Sequence, residues 1–281
     1  MAGKLYLCAT PIGNLEDITL RVLRTLKEVD VIAAEDTRNS IKLLNHFEIK
    51  TPLTSYHEFN KIEKAYQLIE KLRAGKNLAL ITDAGTPGIS DPGEELVRIC
   101  CEEGIEVVSL PGAAACITAL TVSGLSTRRF AFEAFLPRDK KKRGIVLEEL
   151  KSETRTIILY EAPHHLVHTL EELHQALGER NIAVCRELTK KHEEVMRASL
   201  VEVLRYYEEH EPRGEYVLVI EGKSYADIEK EEIAEWMQMD LTEHMRIYEE
   251  KGLSNKEAMR MVAKDRGISK REVYQMLLAL K

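Results

Sequence analysis

The 281-residue sequence lacks several features that would assign it to a well-defined class. No apolar run approaches the roughly 20 residues that a membrane-spanning helix needs, which argues against an integral membrane protein. The amino terminus, MAGKLYLCATPIGN, has a short apolar patch but no long hydrophobic region, so we expect no secretory signal. Internal repeats and low-complexity segments are also missing. Together these absences favour a cytoplasmic globular protein.

Cysteine is scarce and poorly spaced for a structural role. The five cysteines are odd in number, include the adjacent pair Cys100 and Cys101, and show no C-x-x-C spacing. This pattern argues against both a disulfide framework and a zinc site. His164 and His165 are adjacent, and their neighbours make a poor chelate. We therefore expect free, mostly buried thiols and no bound metal.

The common phosphate-binding signatures G-x-x-x-x-G-K-[ST] and G-x-G-x-x-G are missing as well. The formal net charge of -7, taken alone, argues against a nucleic-acid partner. Residues 251–281, however, hold eight lysines and arginines against three acidic residues, and a second basic cluster, RDKKKR, spans 138–143. Charge segregated in this way can attract a polyanion, although each cluster could equally be a solvated helix face.

Short apolar runs alternate with amphipathic segments along most of the chain. The strand candidates in the first part are KLYLC (4–8), DVIAAE (30–35), NLALIT (77–82) and IEVVSL (105–110). Their alternation with helical segments predicts a mostly parallel sheet covered on both faces. The pattern restarts after residue 123 with FAFEAFL, RTIILYE, NIAVCRE, RASLVEV and EYVLVIE, which predict a mixed sheet.

From Lys230 onward strand candidates disappear, and the sequence predicts three helices. The last two helices resemble a helix-turn-helix, and Ser254 and Ser269 precede them with the capping-box spacing to Glu257 and Glu272. We therefore predict an α/β protein in three parts. These are an N-terminal α/β domain with a parallel sheet (1–122), a second α/β domain with a mixed sheet (123–224) and a helical RNA-contacting domain (225–281).

Three loops rich in glycine, proline and alanine follow strand candidates of the first domain: ATPIGN (9–14), DAGTPGISDPG (83–93) and LPGAAA (110–115). Ligands of open parallel sheets bind outside the carboxyl ends of the strands, so these loops should line one crevice. Glycine permits close backbone approach, and proline restricts the backbone before a ligand arrives. No loop contains lysine or arginine, which predicts a ligand of modest charge. Tight packing of small residues is the alternative.

The segments ATPIGNLEDITLR, AAEDTR, SYHEFN, ITDAGTPGISDPG, LPGAAA and LYEAPHH together resemble the ribosomal RNA small-subunit methyltransferase I family. That family is a branch of the tetrapyrrole methylase (class III) S-adenosylmethionine enzymes. The resemblance covers residues 4 to 222, and the basic tail is similar to the helix-turn-helix appended in the family.

The resemblance implies S-adenosylmethionine-dependent 2'-O-methylation of a cytidine ribose in the decoding region of 16S ribosomal RNA. It further implies a kidney-shaped homodimer that holds the cofactor between two α/β domains and acts on the small ribosomal subunit. Carried over motif by motif, it places cofactor contacts on the first-domain loops and on strand ends of the second domain. These residues are Pro11, Gly85, Thr86, Pro87, Ile89, Ser90, Ala114, Ala115, Tyr160 or Glu161, Leu188 and Val217.

Methyl transfer to a ribose hydroxyl needs an in-line approach at about 3 Å and a path for the hydroxyl proton. Polar residues that follow first-domain strands are candidates. Asp36 or Glu58 is the first choice as base, His57 is the next, and Arg38 would contact a phosphate. Asp36 could instead cap a helix, and Glu58 could be an ordinary surface residue.

RNA contacts are expected from the basic clusters and from the edge of the second domain. The residues are Arg138, Lys140, Lys141, Lys142, Arg143, Arg186, Lys256, Arg260, Lys264, Lys270 and Arg271. Contacts of this kind position RNA without reading its sequence. Two other functions stay open: a tetrapyrrole (precorrin or uroporphyrinogen) methyltransferase of the same fold, and a non-enzymatic RNA-binding assembly factor that retains the crevice.

Overall fold

A computed structural model describes residues 2–280 of the chain. Its first sheet has five strands in the order β3-β2-β4-β1-β5. They are β1 (Leu5–Cys8), β2 (Val31–Ala34), β3 (Leu53–Ser55), β4 (Leu78–Ile81) and β5 (Val107–Leu110). Every pairing is parallel, as predicted. The sequence did not reveal β3, because a half-buried edge strand of three residues is too short to show a pattern.

Helices cover both faces of this sheet. They are α1 (Leu20–Glu28), α2 (Thr37–His46), α3 (Lys61–Arg73) and α4 (Gly93–Glu102), and α5 (Ala115–Ser123) follows the last strand. Successive strand residues point to opposite faces. Leu78 and Leu80 therefore pack in one core with residues of α3 and α4, whereas Ala79 and Ile81 pack in another with residues of α1 and α2. The predicted covering of both faces is confirmed.

The second sheet is mixed and has the order β6-β7-β10-β8-β9. Its strands are β6 (Phe130–Ala134), β7 (Thr156–Glu161), β8 (Asn181–Arg186), β9 (Glu194–Ser199) and β10 (Tyr216–Ile220). Only β6 and β7 pair in parallel. The helices between these strands are α6 (Lys140–Leu150), α7 (Leu166–Leu177) and α8 (Leu200–Glu209). Helix α5 packs on this sheet through Cys116, Ala119 and Leu120.

The strand prediction for RASLVEV, residues 197–203, is wrong in its second half. Strand β9 ends at Ser199, and α8 begins at Leu200. The Ser199 side chain accepts a hydrogen bond from the backbone N–H of Glu202, and the Glu202 carboxylate accepts one from the backbone N–H of Ser199. The apolar residues of this stretch obscured a capping box, which starts a helix.

The chain forms two compact units. One contains the residues up to Leu147 together with Thr156–Glu221, and therefore both sheets; the other contains Glu148–Arg155 together with the residues from Gly222. The boundaries predicted at 122/123 and 224/225 stay predictions. Within the described residues, no helix combines the length and the apolar character that are needed to cross a membrane.

The carboxyl-terminal residues that the structure describes form four helices rather than the predicted three. They are α9 (Tyr225–Gln238), α10 (Leu241–Glu250), α11 (Asn255–Asp265) and α12 (Lys270–Ala279). Asp240 separates the first two, because its side chain accepts hydrogen bonds from the N–H groups of Thr242 and Glu243. The capping boxes at Ser254 and Ser269 are confirmed.

A polar network lies in the core of this helical unit. His244 is fully buried, with its Nε2 3.1 Å from Oδ2 of Asp265 and its Nδ1 3.1 Å from Nε of Arg266. Because Arg266 donates to Nδ1, the neutral ring carries its proton on Nε2. Burial lowers the pKa of His244, Asp265 opposes this shift, and Arg266 adds to it. The indole of Trp236 stacks on the imidazole, with ring centroids 4.2 Å apart.

We expect the helical unit to lose stability as the pH falls below about 6.5, the pKa of an unperturbed histidine. The unfolded chain takes up a proton on His244 at a higher pH than the folded chain, so protonation favours unfolding. Urea unfolding followed by the fluorescence of Trp236, the one tryptophan of the chain, at pH 5.5 and 7.5 measures this effect. The variant His244→Gln should show a weaker pH dependence than the wild type; an equal dependence would contradict the assignment.

Candidate functional site

The three loops predicted to line a crevice are bonded to one another. Thr10 and Gly85 form an isolated antiparallel bridge, with N–H···O distances of 2.9 and 3.1 Å. The Thr86 hydroxyl donates to the carbonyl of Ala113 at 2.9 Å, which joins the second loop to the third. The rim of the sheet is therefore shaped by the protein's own backbone.

The long loop after β4 is stabilised from inside by Asp91. One carboxylate oxygen accepts hydrogen bonds from the N–H groups of Gly88 and Ile89 at 2.8 and 3.2 Å, and the other accepts from Gly93 at 2.7 Å. Gly85 and Gly88 both have positive φ angles, +85° and +83°, which favour glycine. The glycines and Asp91 of this loop thus build a compact turn.

A cavity of about 420 Å³ lies between these loops and the second sheet. From the first-sheet side and the start of α5 it is lined by Ile12, Ala84, Gly85, Thr86, Ile89, Ala114, Ala115 and Cys116. From the second-sheet side it is lined by Phe135, Tyr160, Glu161, Ala162, Pro163, Cys185, Glu187, Leu188, Lys190, Glu215, Tyr216 and Val217. The size and the mainly apolar lining are typical of a small-molecule site.

Most of the residues predicted to contact a cofactor line this cavity. They are Gly85, Thr86, Ile89, Ala114, Ala115, Tyr160, Glu161, Leu188 and Val217. Pro87 and Ser90 belong to the same loop but do not line the cavity, and Pro11 lines an adjoining one. Their roles as contacts stay predictions. The sequence did not predict the charged lining residues Glu187, Lys190 and Glu215. Nothing in it indicated that the segments after β8 and before β10 lie beside the loops of the first sheet.

The apolar part of the cavity is uncharged. Its Tyr160 hydroxyl accepts a hydrogen bond from the N–H of Cys116 at 3.1 Å, and Phe132 and Phe135 contact the tyrosine ring edge to face. Burial raises the pKa of Tyr160 and raises that of Cys185 to about 11. Both side chains are therefore neutral at pH 7, which suits a ligand of modest charge.

Charge is concentrated at one wall of the cavity. Lys190 Nζ lies 2.9 Å from Oε1 of Glu187 and 2.7 Å from Oε2 of Glu215. Burial opposes ionisation of both Lys190 and Glu187. The hydrogen bonds and opposite charges around each group outweigh burial, so the pKa of Lys190 is raised and that of Glu187 is lowered. Lys190 is therefore a fixed cation rather than a proton acceptor.

Non-glycine residues with strained, positive φ angles are concentrated around the same cavity. Five non-glycine residues among those described have positive φ, and four of them line the cavity or adjoin a lining residue. These four are Ser90 (62°), Ala134 (53°), Glu187 (51°) and Thr189 (65°). Such conformations persist only where the surroundings enforce them, and they concentrate at functional sites. The strain agrees with a binding role for the cavity.

Glu161 connects the cavity to the predicted RNA-contacting cluster. Its carboxylate accepts hydrogen bonds from the N–H of Ala162 at 2.8 Å and from the hydroxyl of Thr169 at 2.5 Å. Arg143 donates to Thr169 and pairs with Glu172, so this arginine is half-buried and engaged within the protein. The neighbouring Arg138, Lys140, Lys141 and Lys142 are exposed.

The predicted catalytic residues lie outside the cavity. Asp36 is the N-cap of α2 and accepts hydrogen bonds from the backbone and the guanidinium of Arg38. These bonds lower the pKa of Asp36 to about 2, which makes it a weak base. Glu58 is exposed and pairs with Lys61 at 2.6 Å. His57 is half-buried in the same loop, and among residues 2–280 its Nδ1 has no hydrogen-bond partner.

Four of the five cations predicted in the tail are exposed, and three of these form one face. Lys256, Arg260 and Lys264 are four residues apart on α11 and are exposed, so they share one side of that helix. Lys270 and Arg271 lie in the first turn of α12. Arg186, at the end of β8, pairs with Glu194 at 3.0 Å. Between residues 2 and 280 no three histidine, cysteine or acidic side chains are grouped as a metal site.

Comparison with known proteins defines the class first. Residues 4–204 match the family model of the tetrapyrrole (corrin/porphyrin) methylases. Solved structures share this fold, among them a diphthine synthase with a TM-score of 0.62, 15% identity and coverage of 78% of this chain and 90% of that one. Another is uroporphyrin-III C-methyltransferase of Thermus thermophilus complexed with S-adenosyl homocysteine, with a TM-score of 0.56, 22% identity and coverage of 78% and 97%.

Curated relatives identify a narrower family within the tetrapyrrole methylases. Ribosomal RNA small subunit methyltransferase I of Halalkalibacterium halodurans is 50% identical over 98% of this chain and 94% of its own length. The protein of the same name from Synechocystis is 49% identical over 99% of this chain and 98% of its own length. The chain belongs to the ribosomal RNA small subunit methyltransferase I family, a member of the tetrapyrrole methylases.

Proposed function

We propose that this protein transfers a methyl group from S-adenosylmethionine to the 2'-oxygen of a cytidine ribose in the decoding region of 16S ribosomal RNA. The observation that carries the proposal is the cavity of about 420 Å³ with a mainly apolar lining and loops that are bonded to one another. The names of the relatives support ribosomal RNA as the substrate. We further propose that the protein acts as a homodimer, on the small ribosomal subunit, in the cytoplasm.

The lining residues fit S-adenosylmethionine. Gly85, Ala114 and Ala115 are small, so a nucleoside can lie against their backbone, and Leu188 and Val217 offer apolar contact. S-adenosylmethionine supplies a methyl group activated by its sulfonium. The protein must then hold the ribose oxygen in line with that methyl group and remove the hydroxyl proton.

Proton removal is proposed for the polar loops of the first sheet. Asp36, Glu58 and His57 stay the candidates for the base, with Arg38 as a phosphate contact. Of these, His57 has an unpartnered buried Nδ1 within the described chain, whereas the two carboxylates are already paired with cations.

The rival function of the same fold is methylation of a tetrapyrrole. The test is transfer of tritiated methyl groups from S-adenosylmethionine to small ribosomal subunits from a strain that lacks the enzyme, beside transfer to uroporphyrinogen III. We expect label in the 16S RNA, mapped to a cytidine 2'-oxygen, and none in the porphyrinogen. Label in the porphyrinogen alone would overturn the proposal, and label in neither would favour a non-enzymatic assembly factor.

Two glycines of one loop provide a matched test of the cofactor cavity. A Cβ at Gly85 would lie 3.3 Å from Ile12 Cγ2 beside the cavity, whereas a Cβ at Gly88 would meet nothing within 4 Å. Both residues have positive φ, so Gly85→Leu and Gly88→Leu impose similar backbone strain. We expect Gly85→Leu to weaken binding of S-adenosyl homocysteine at least 30-fold in calorimetry and Gly88→Leu to weaken it less than about threefold.

Thermal unfolding of the two variants provides the control for folding. Equal losses of affinity in both would mean that strain, rather than occupation of the cavity, causes the effect. An unchanged affinity in Gly85→Leu would place the cofactor elsewhere.

The exposed face of α11 is proposed to bind RNA. Replacing Lys256, Arg260 and Lys264 together by glutamine should weaken binding to small subunits and reduce the slope of log K against log salt by up to about 3. Filter binding between 50 and 200 mM salt measures both quantities. Replacing Arg24, Lys27 and Lys50, which are also exposed, removes the same charge elsewhere. If both triple variants lose affinity equally, α11 has no special role.

A further inference from the structure

Two large apolar side chains at the proposed cofactor cavity are exposed to solvent. Among the lining residues between 2 and 280, these are Ile89, which is 41% exposed, and Phe135, which is 54% exposed. Ile89 lies in the loop after β4 of the first sheet, and Phe135 directly follows β6 of the second. A side chain that borders a cavity and also contacts solvent lies at its mouth. Each sheet therefore contributes one apolar group to the mouth of this cavity.

Phe135 reaches the cavity because β6 is irregular. The register of β6 against β7 shifts by one residue between Phe132 and Ala134, which leaves Glu133 as an extra residue. A shift of one residue moves the side chains that follow to the other face of the sheet. Phe135 therefore takes the place that Ala134 would have in a regular strand, on the same face as Phe132. Both phenylalanine rings accordingly contact Tyr160, with centroid distances of 5.0 Å for Phe132 and 5.6 Å for Phe135.

The backbone beside both residues is strained. Ala134, immediately before the phenylalanine, has a φ angle of 53°, and Ser90, immediately after Ile89, has one of 62°. Such angles persist in residues other than glycine only where the surroundings enforce them. The turn around Ile89 is held by Asp91, whose carboxylate accepts a hydrogen bond from the Ile89 N–H at 3.2 Å. The fold thus holds an apolar side chain on each side of the mouth in spite of this strain.

We propose that Ile89 and Phe135 form an apolar clamp on the adenine of S-adenosylmethionine, with the Phe135 ring stacked on the base. This inference rests on the assignment of the cavity to the cofactor in the proposed function, and it adds a direct contact from the end of β6. Nucleic-acid bases have flat π faces that stack on aromatic side chains. Binding would also remove the exposed apolar surface of both side chains from water, which stabilises the complex.

Two observations favour the cofactor as the occupant of the clamp. Ile89 and Phe135 line the mainly apolar cavity and neither of the two recesses that adjoin Lys190 on its other side. A nucleotide within an RNA chain carries a charged phosphate, whereas the adenosine of S-adenosylmethionine carries none. In addition, the contact with Tyr160 leaves more than half of Phe135 exposed, so this contact alone does not account for the position of the ring.

The first experiment compares alanine variants in titration calorimetry with S-adenosyl homocysteine. Phe130 and Ile117 provide matched controls, because they are 39% and 45% exposed and do not line the cavity. We expect Phe135→Ala to weaken binding about 10- to 30-fold and Ile89→Ala about 3- to 10-fold, the effect of lost apolar burial. Phe130→Ala and Ile117→Ala should stay within about twofold of wild type. The heat-capacity change of binding should be less negative in Phe135→Ala. Equal effects in clamp and control variants would overturn the inference.

The second experiment detects the contact directly. When S-adenosyl homocysteine binds to Phe135→Trp, stacking on adenine should quench the new indole fluorescence and shift its emission to shorter wavelength. Phe130→Trp, on the same strand, should show neither change. Trp236, the one native tryptophan, contributes a background that titration of the wild type measures. A residue that only supports Tyr160 would not respond to the ligand, so the absence of a response in Phe135→Trp that still binds would refute the clamp.

The outcomes separate this inference from the proposed function. If the wild type binds no S-adenosyl homocysteine, the assignment of the cavity fails. If the wild type binds and Phe135→Ala keeps its affinity, the clamp is wrong while the function stands. An unchanged affinity with a raised KM for small subunits would assign Phe135 to the RNA and would also overturn the inference. Phe135→Tyr, which keeps the ring, should retain the wild-type affinity, which shows that the loss in the alanine variant comes from the ring.

Discussion

The backbone bridge between Thr10 and Gly85 is the interaction on which the site depends. It joins loops that follow two neighbouring strands, β1 and β4, and the bond from Thr86 to Ala113 adds the loop after β5. Parallel strands bring their carboxyl ends to one edge of the sheet, but they do not by themselves fix the loops that follow. The hydrogen bonds between the loops remove that freedom, so the cavity exists before any ligand binds, and the ordering cost of binding is reduced.

The site separates apolar contact from charge. Tyr160 and Cys185 are neutral because burial raises their pKa, whereas Lys190 is kept ionised by two carboxylates. Glu187 and Thr189, in the segment that carries this lysine, have positive φ angles. Strain in this segment is tolerated because the ion pairs and the bond from Asn14 to Thr189 hold it. An apolar space beside a fixed cation can hold a nucleoside cofactor and orient a polar acceptor next to it.

The helical unit uses polar groups in a different way. In its core His244 bonds to both Asp265 and Arg266; Asp265 also accepts a hydrogen bond from the Tyr248 hydroxyl, and Arg266 donates to the backbone carbonyl of Met239. Such a network specifies one packing of the helices more sharply than apolar contact alone, since a shifted helix would leave buried groups unpaired. The cations of α11 lie outside this network and are exposed to solvent.

The amino-acid sequence by itself determined the alternation of strands and helices, the parallel first sheet, the capping boxes at Ser254 and Ser269 and the three first-domain loops that border the cavity, because periodicity, caps and glycine-rich loops are local signals. The resemblance to a family added the cavity-lining residues of the second sheet. The prediction from sequence was wrong at Ser199, where an apolar strand pattern and a helix-capping box overlap. It was also wrong at Asp240, where only a short break separates two helices. Only the tertiary structure decided that Glu187, Lys190 and Glu215 line the same cavity as the loops of the first sheet and that Arg143 is engaged internally. These facts depend on contacts between segments far apart in the chain, and no local pattern encodes them.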